Sequence, residues 1–259
     1  MGSDSKIINA ANLLFHSAAT SVPVAPVREL IGDKDIDAAY AVQEINVAKR
    51  MKQGDKVTGK KIGLTSFAVQ EQLGVDQPDY GVLFNTMEVK NGSLPFSELM
   101  QPKAETEIAF VMAEDLEGDI NISDLIEAID YAVIAIEIVG SRVADWNIRI
   151  TDTIADNASA SHYILGDERK DIDELDLVNC KMTLTKNDTI ASEGTGAACM
   201  DNPLNAALWL AQKMAKQDNP LRKGEVLLSG ALGPMVAIEK GDKFDASIEG
   251  LGSVSLTIT

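Results

Sequence analysis

Apolar residues recur at helical spacing through the first fifty positions and at strand spacing through much of the remaining chain. Within residues 7–19, Ile8, Ala11, Leu14 and Phe15 share one face of a 3.6-residue period, which predicts a helix. Ala38, Tyr40, Ala41, Ile45 and Ala48 predict a second helix, with Asp35 or Asp37 as its cap and Gly54-Asp55 as its close. A short strand is expected over 60–64, then a helix that Ser66 starts and Gly74 ends. After Gln77-Pro78 the pattern changes. Thr106, Ile108, Phe110 and Met112 alternate with Glu105, Glu107 and Ala109, the two-residue period of a strand. Ser123 is placed to cap a helix reaching Asp130, and residues 131–139 form an apolar run broken only by Glu137. A hairpin is expected from Met182 to Ile190, turning at 186–188. Asn202-Pro203 opens an amphipathic helix to about Lys216, with proline at its first position. Four further strand-like stretches, 226–228, 236–238, 244–246 and 254–258, are separated by Gly and Asp. The pattern divides the chain into a helical N-terminal region, residues 1–80, and a β-rich portion, residues 81–259.

Composition narrows the chemistry. A chain of 259 residues can bury a substantial core. Forty acidic side chains against 23 basic ones give a net charge of -17, which repels phosphate backbones and anionic lipid. No nucleic-acid partner is therefore expected. No apolar run is long enough to cross a bilayer, so no membrane partner is expected either. The two cysteines, Cys180 and Cys199, lack metal-type spacing and point to a reduced, cytoplasmic setting. Two histidines, His16 and His162, are too few for a histidine-built zinc site. An acidic protein that binds an acidic small molecule needs a local cation, from Lys, Arg or a metal.

Glu105 and Glu107 stand two apart in a strand, so their carboxylates lie side by side on one face. Such a pair repels unless a cation sits between them, and Mg²⁺ or Mn²⁺ prefers oxygen ligands. Glu137 is a third candidate ligand, because a charged Glu inside an apolar run is costly to bury unless it is paired or coordinates a metal. Spacing alone leaves other readings open. Glu105 and Glu107 could form the solvated face of an edge strand, and Glu137 could pair with Arg142 or Lys103.

Several separate motifs occur together in a recognisable order. They are Lys60 to Thr65, Gly74 to Gly81, Glu105-Thr106-Glu107, the later Glu137, Gly140-Ser141-Arg142, residues 155–159, residues 230–235 and residues 250–254. From about Ala39 to the C-terminus the chain resembles the 2-keto-4-pentenoate hydratases, in the hydratase/decarboxylase branch of the fumarylacetoacetate-hydrolase superfamily. The resemblance implies an α+β fold, a mixed β-roll or sandwich carrying the site behind a helical N-terminal region. It also implies Mg²⁺ or Mn²⁺ on Glu105, Glu107 and Glu137, and a homo-oligomer built on pentamers. The implied reaction hydrates 2-hydroxypenta-2,4-dienoate to 4-hydroxy-2-oxopentanoate, in the meta-cleavage degradation of aromatic compounds.

By the same resemblance Asp79 and Lys61 are the acid–base groups. Read without it, Asp79 is a turn residue in Pro78-Asp79-Tyr80-Gly81, and Lys61 is a surface charge beside Lys60. A lysine near an Asp and a metal is expected to have a lowered pKa. Ser161 is a candidate donor to the substrate carboxylate. Gly230 to Gly233 either bring backbone close to the substrate or form a plain turn. The nearest rival activities are a 4-oxalocrotonate decarboxylase and a hydratase of a longer dicarboxylate dienoate, the latter needing an extra cationic anchor. An inactive metal-binding homologue is the rival from another class.

Overall fold

Three helices lead the chain: α1 (Ser3–Thr20), α2 (Arg28–Ile31) and α3 (Ile36–Lys52). The computed structural model describes residues 3–67, 70–71 and 75–259; the helix expected from Ser66 to Gly74 lies largely outside them. Asp35, rather than Asp37, caps α3 by accepting from the Ala38 amide at 3.0 Å. Ala10, Ala11 and Leu14 of α1 are buried in the same core as Ala38, Ala39 and Val42 of α3. The Tyr40 and Tyr80 rings stack at 4.6 Å, and the Gln43 carboxamide donates to the carbonyls of Tyr80 and Ile154 at 2.9 Å. These contacts fix the helical layer to the sheet.

The larger sheet contains β1 (Val57–Gly63), β2 (Asp79–Phe84), β4 (Lys103–Met112), β5 (Ile129–Val139), β6 (Ala160–Leu165), β9 (Val226–Ala231) and β10 (Val236–Ala237). Its order is β2-β1-β9-β4-β5-β6, with β10 on β4. The smaller sheet contains β3 (Ser93–Leu94), β7 (Lys181–Lys186), β8 (Thr189–Thr195), β11 (Lys243–Ile248) and β12 (Gly252–Ile258), in the order β3-β12-β11-β7-β8. Both sheets are mixed: β1 pairs parallel with β9, and β12 with β3. Three more α-helices, α4 (Ile122–Ala128), α5 (Ile150–Ala155) and α6 (Pro203–Lys216), lie later in the chain.

The larger sheet rolls up. The Val89 amide donates to the Tyr163 carbonyl at 2.8 Å, and the Tyr163 amide donates to the Met87 carbonyl at 3.0 Å. The chain leaving β2 is thereby stitched to β6, and the two ends of the sheet meet. Alternation along the strands sorts residues between two environments. Leu83, Ala109, Val133, Ala135 and Leu228 form a small apolar cluster inside the roll. Ile108, Phe110, Ile134, Ile136 and Leu227 face the main core with the helices and the smaller sheet. Phe110 is fully buried there, and truncating it to Ala would cost about 3–5 kcal/mol.

Several local expectations change. The strand expected over 60–64 runs from Val57 to Gly63 and lies between β2 and β9, inside the sheet rather than beside the helices. Asp79, Tyr80 and Gly81, which read as part of a turn by default, open strand β2. Helix α4 is capped by Asn121, not Ser123: its side chain accepts from the amides of Ser123 and Asp124 at 2.8 and 3.2 Å. The β7–β8 hairpin turns on Asn187 and Asp188, both at positive φ, the two-residue turn whose twist suits a hairpin.

Candidate active site

Strand β4 lies between β9 and β5, so Glu105 and Glu107 are not on an edge. Glu105 stands directly opposite Glu137 in the β4–β5 ladder, and Glu107 opposite Ala135. All three carboxylates therefore point into the roll, and one oxygen from each lies within 4.8 Å of the others. Glu107 and Glu137 are buried and Glu105 is half-buried. Glu107 Oε2 accepts from the Gly230 amide at 2.8 Å, while Glu107 Oε1 and both Glu137 oxygens have no hydrogen-bond donor. Buried carboxylate oxygens without donors are costly, and several so close together demand positive charge. Burial, then the neighbouring Glu137, pushes Glu105 up to about 7, and burial with the Glu137 and Glu105 charges holds Glu107 well above the carboxylate range. This donor set fits a hard divalent cation, which takes oxygen ligands and leaves positions for an incoming acid.

Lys61 points into the roll and Lys60 away from it. Lys61 Nζ donates to the Ala158 carbonyl at 3.0 Å and lies 3.3 Å from Glu137 Oε2. Lys60 pairs with Glu225 at 2.9 Å. Both lysines are buried, so neither is the surface charge of the default reading. Burial disfavours the charge on Lys61, but Glu137, Glu105, Asp79 and Glu107 together more than offset it. With no cation on the glutamates its pKa is raised, because carboxylates crowd it. Glu137 pairs with this lysine and not with Arg142, which binds Asp156, or with Lys103, which lies over Trp146.

Asp79 opens β2 opposite Gly63 and is buried. Burial pushes its carboxyl up to about 6; the Lys61 charge and a hydrogen bond from Thr153 hold it back from rising further. Gly63 leaves room for it: a Cβ there would collide with Asp79 Oδ1 and stand 3.5 Å from Lys61 Nζ. The two proposed acid–base groups thus converge over a position where any side chain would displace the Asp79 carboxylate. Gly230, at φ +116, is equally constrained, since a Cβ would strike Thr65. The Gly230 amide serves Glu107, and Gly233 lines the cavity.

That cavity holds about 630 Å³. Lys61, Asp79, Glu105, Thr153 and Ser159 make its polar end, and Leu64, Val139, Trp146, Ile148 and Met235 make much of the rest. Ser161 is not on the cavity wall: its hydroxyl lies 2.9 Å from His162 Nδ1. Ser159 is on the wall, with its hydroxyl 3.3 Å from that of Thr153. Asn157, Ala158 and Ser159 all have positive φ, a left-handed turn just before β6 that strand alternation does not foresee. Thr153, Ser159, Lys103 and Trp146 escape sequence reasoning. Trp146, one of only two tryptophans, offers the one usable signal, a scarce aromatic beside a Gly-Ser-Arg motif.

The fumarylacetoacetate (FAA) hydrolase C-terminal family matches residues 71–259. The chain is 52% identical over 248 residues to the TodF product hydratase of Pseudomonas putida strain F1, covering 95% of this chain and 92% of the relative. It is 48% identical over 261 residues to the 2-keto-4-pentenoate hydratase of Burkholderia vietnamiensis strain G4, covering both chains completely. Among solved structures, 4-oxalocrotonate decarboxylase from Pseudomonas putida G7, complexed with magnesium and adipate, superposes with a TM-score of 0.94 at 29% identity, covering 100% of this chain and 99% of that one. With its rolled sheet, its buried glutamate cluster and this level of identity, the chain belongs to the 2-keto-4-pentenoate hydratase family within the fumarylacetoacetate hydrolases.

Proposed function

We propose that this chain hydrates 2-keto-4-pentenoate, as its 2-hydroxypenta-2,4-dienoate tautomer, to 4-hydroxy-2-oxopentanoate, with Mg²⁺ or Mn²⁺ held by Glu105, Glu107 and Glu137. The observation that carries the proposal is the meeting of Glu105, Asp79 and Lys61 at the polar end of one cavity, with the buried Glu107 and Glu137 completing a three-carboxylate cluster around Glu105. The names of the relatives and the magnesium in the decarboxylase structure support it. When bound, the cation supplies the positive charge that an acidic protein needs for an acidic substrate, and it draws electrons from carbon 2.

The residues do the rest. Moving the proton of the 2-hydroxyl to carbon 5 gives an unsaturated ketone that is electrophilic at carbon 4. Water then adds its oxygen at carbon 4, and a proton reaches carbon 3. Asp79 takes and returns protons, and its raised pKa keeps both forms within reach at neutral pH. Lys61, fixed by the Ala158 carbonyl and Glu137, holds positive charge beside the reacting oxygens. Ser159, rather than Ser161, donates to the substrate, with Thr153 orienting it.

Incubating the metal-loaded protein with 2-hydroxypentadienoate should consume the dienoate absorbance and yield 4-hydroxy-2-oxopentanoate. Absence of turnover, or CO₂ release from 4-oxalocrotonate in its place, would overturn the assignment. A pentamer-based homo-oligomer belongs to the same reading, and light scattering tests it. Two unpaired, buried cysteines support residence in a reducing cytoplasm.

A further inference from the structure

A second cavity of about 560 Å³ adjoins the first. Lys103, Trp146 and Ala237 line both. These three residues are a shared wall. On the far side Phe96, Leu99, Met100, Pro102 and Ile238 give an apolar lining without an acidic side chain among the described residues.

The wall is built firmly. The Lys103 ammonium lies 4.3 Å from the centroid of the Trp146 ring. Trp146 Nε1 donates to the Gln101 carbonyl at 2.9 Å. Gln101 is itself anchored, its carboxamide donating to the carbonyls of Ser141 and Val143 and accepting from the Asp145 amide. Gln101, Asp145 and Trp146 all have positive φ, at 48, 57 and 52, a conformation that a tryptophan adopts only where its surroundings impose it.

The position of the wall fits a length limit. Lys103 is two residues, about 7 Å, along β4 from Glu105, on the same face. In the ladders it is flanked by Val139 on one side and Ala237 on the other, one row beyond Glu105 and Glu137. An acid anchored at the glutamates extends about 5 Å over five carbons, which brings its last carbon to this row.

We propose that the Trp146 indole, braced by Lys103, is a septum that sets substrate chain length by closing off the cavity behind it, which without the indole would seat an alkyl or aryl group on the distal end of a 2-hydroxydienoic acid. The inference rests on the reading of the polar end as the site that anchors the acid. The septum stops a short dienoate at carbon 5; without the indole, the two cavities join into one slot that takes a longer apolar tail.

The test compares kcat/KM for 2-hydroxypenta-2,4-dienoate and 2-hydroxydeca-2,4-dienoate in the wild type, Trp146→Phe and Trp146→Ala. Calorimetric binding of 2-oxopentanoate and 2-oxodecanoate gives a second readout that does not depend on turnover. The wild type should favour the short acid. Trp146→Ala should move both ratios toward the long acid by at least about tenfold, with Trp146→Phe between, since a few methylenes in an apolar pocket carry that much discrimination. Should Trp146→Ala fail to fold, Trp146→Leu makes the same comparison. Unchanged ratios in a folded variant overturn the septum and leave the hydratase reading intact. A wild type that neither turns over the short dienoate nor binds 2-oxopentanoate overturns that reading, and the septum with it.

Discussion

The missing side chain of Gly63 and the carboxylate of Asp79 compete for one space: a Cβ on Gly63 would stand inside contact distance of Asp79 Oδ1. The two residues are partners in the β1–β2 ladder, and Lys61 projects from the same face of β1 two positions earlier. Gly63→Ala should push the carboxylate out of line with the substrate. A displacement of about an ångström at an acid–base group lowers kcat by on the order of 10²-fold. Steady-state kinetics with Mn²⁺ titrated in parallel separate this effect from loss of metal, and full activity in the variant would remove Asp79 from the reaction.

The glutamate cluster should make stability depend on metal. At about a hundred times its Kd, a bound cation adds about 2.7 kcal/mol, a rise in melting temperature on the order of 5–10 °C. Chelation should reverse the rise. In Glu107→Ala the metal-induced shift and the metal-dependent activity should both disappear while the protein stays folded. A full thermal response to Mn²⁺ in that variant would exclude Glu107 as a ligand.

The adjacent lysines should separate chemistry from stability. Lys61→Met should abolish turnover, and Lys61→Arg should not restore it, because a planar guanidinium does not fit a point held by one carbonyl and one carboxylate. Lys60→Met breaks the pair with Glu225 on the other face of the sheet. It should cost about 3 kcal/mol of stability and leave kcat intact. Denaturant midpoints and kinetics on the two variants decide the matter, and equal effects on kcat would contradict the placement of the two side chains.

His162 should weaken the fold in acid. Burial first, then the Arg50 and Arg142 charges, lowers its pKa from 6.5 to about 4. Glu98 lies 3.8 Å from its Nε2, and its Nδ1 meets the Ser161 hydroxyl. Between these two pH values the unfolded chain binds a proton that the folded chain does not, so stability rises with pH there. It is fully present above about 6.5 and lost as pH falls toward 4, by at most about 3 kcal/mol. Urea midpoints from pH 7 to pH 4 should fall less steeply in His162→Gln, and parallel slopes would refute the assignment.

Where chemistry shows in local pattern, the sequence revealed it. Glu105 and Glu107 declare themselves by alternation, and Glu137 by interrupting an apolar run; the register that sets Glu105 opposite Glu137 shows in neither segment alone. Other features depend on partners far away in the chain. Asp79 sits in a Pro-Asp-Tyr-Gly segment with every mark of a turn, and only pairing with β1 makes it a strand residue. Ser161 and Ser159, two apart, look equivalent by alternation until three left-handed residues take Ser159 out of the strand. Lys103 and Trp146 are 43 positions apart, and nothing local announces that one lies over the other.

The place of β9 between β1 and β4 has a consequence for the chain as it is made. Lys61 is synthesised early, but the strand that joins its own strand to those of the glutamates begins only at Val226. At roughly 5–20 residues per second, the intervening stretch takes on the order of ten seconds to emerge. Until then the centre of the large sheet is a gap, and the buried lysine and its carboxylates have no shared wall to stand on. The candidate constellation can therefore be complete only in the nearly finished chain, once β9 is available to pair with both β1 and β4.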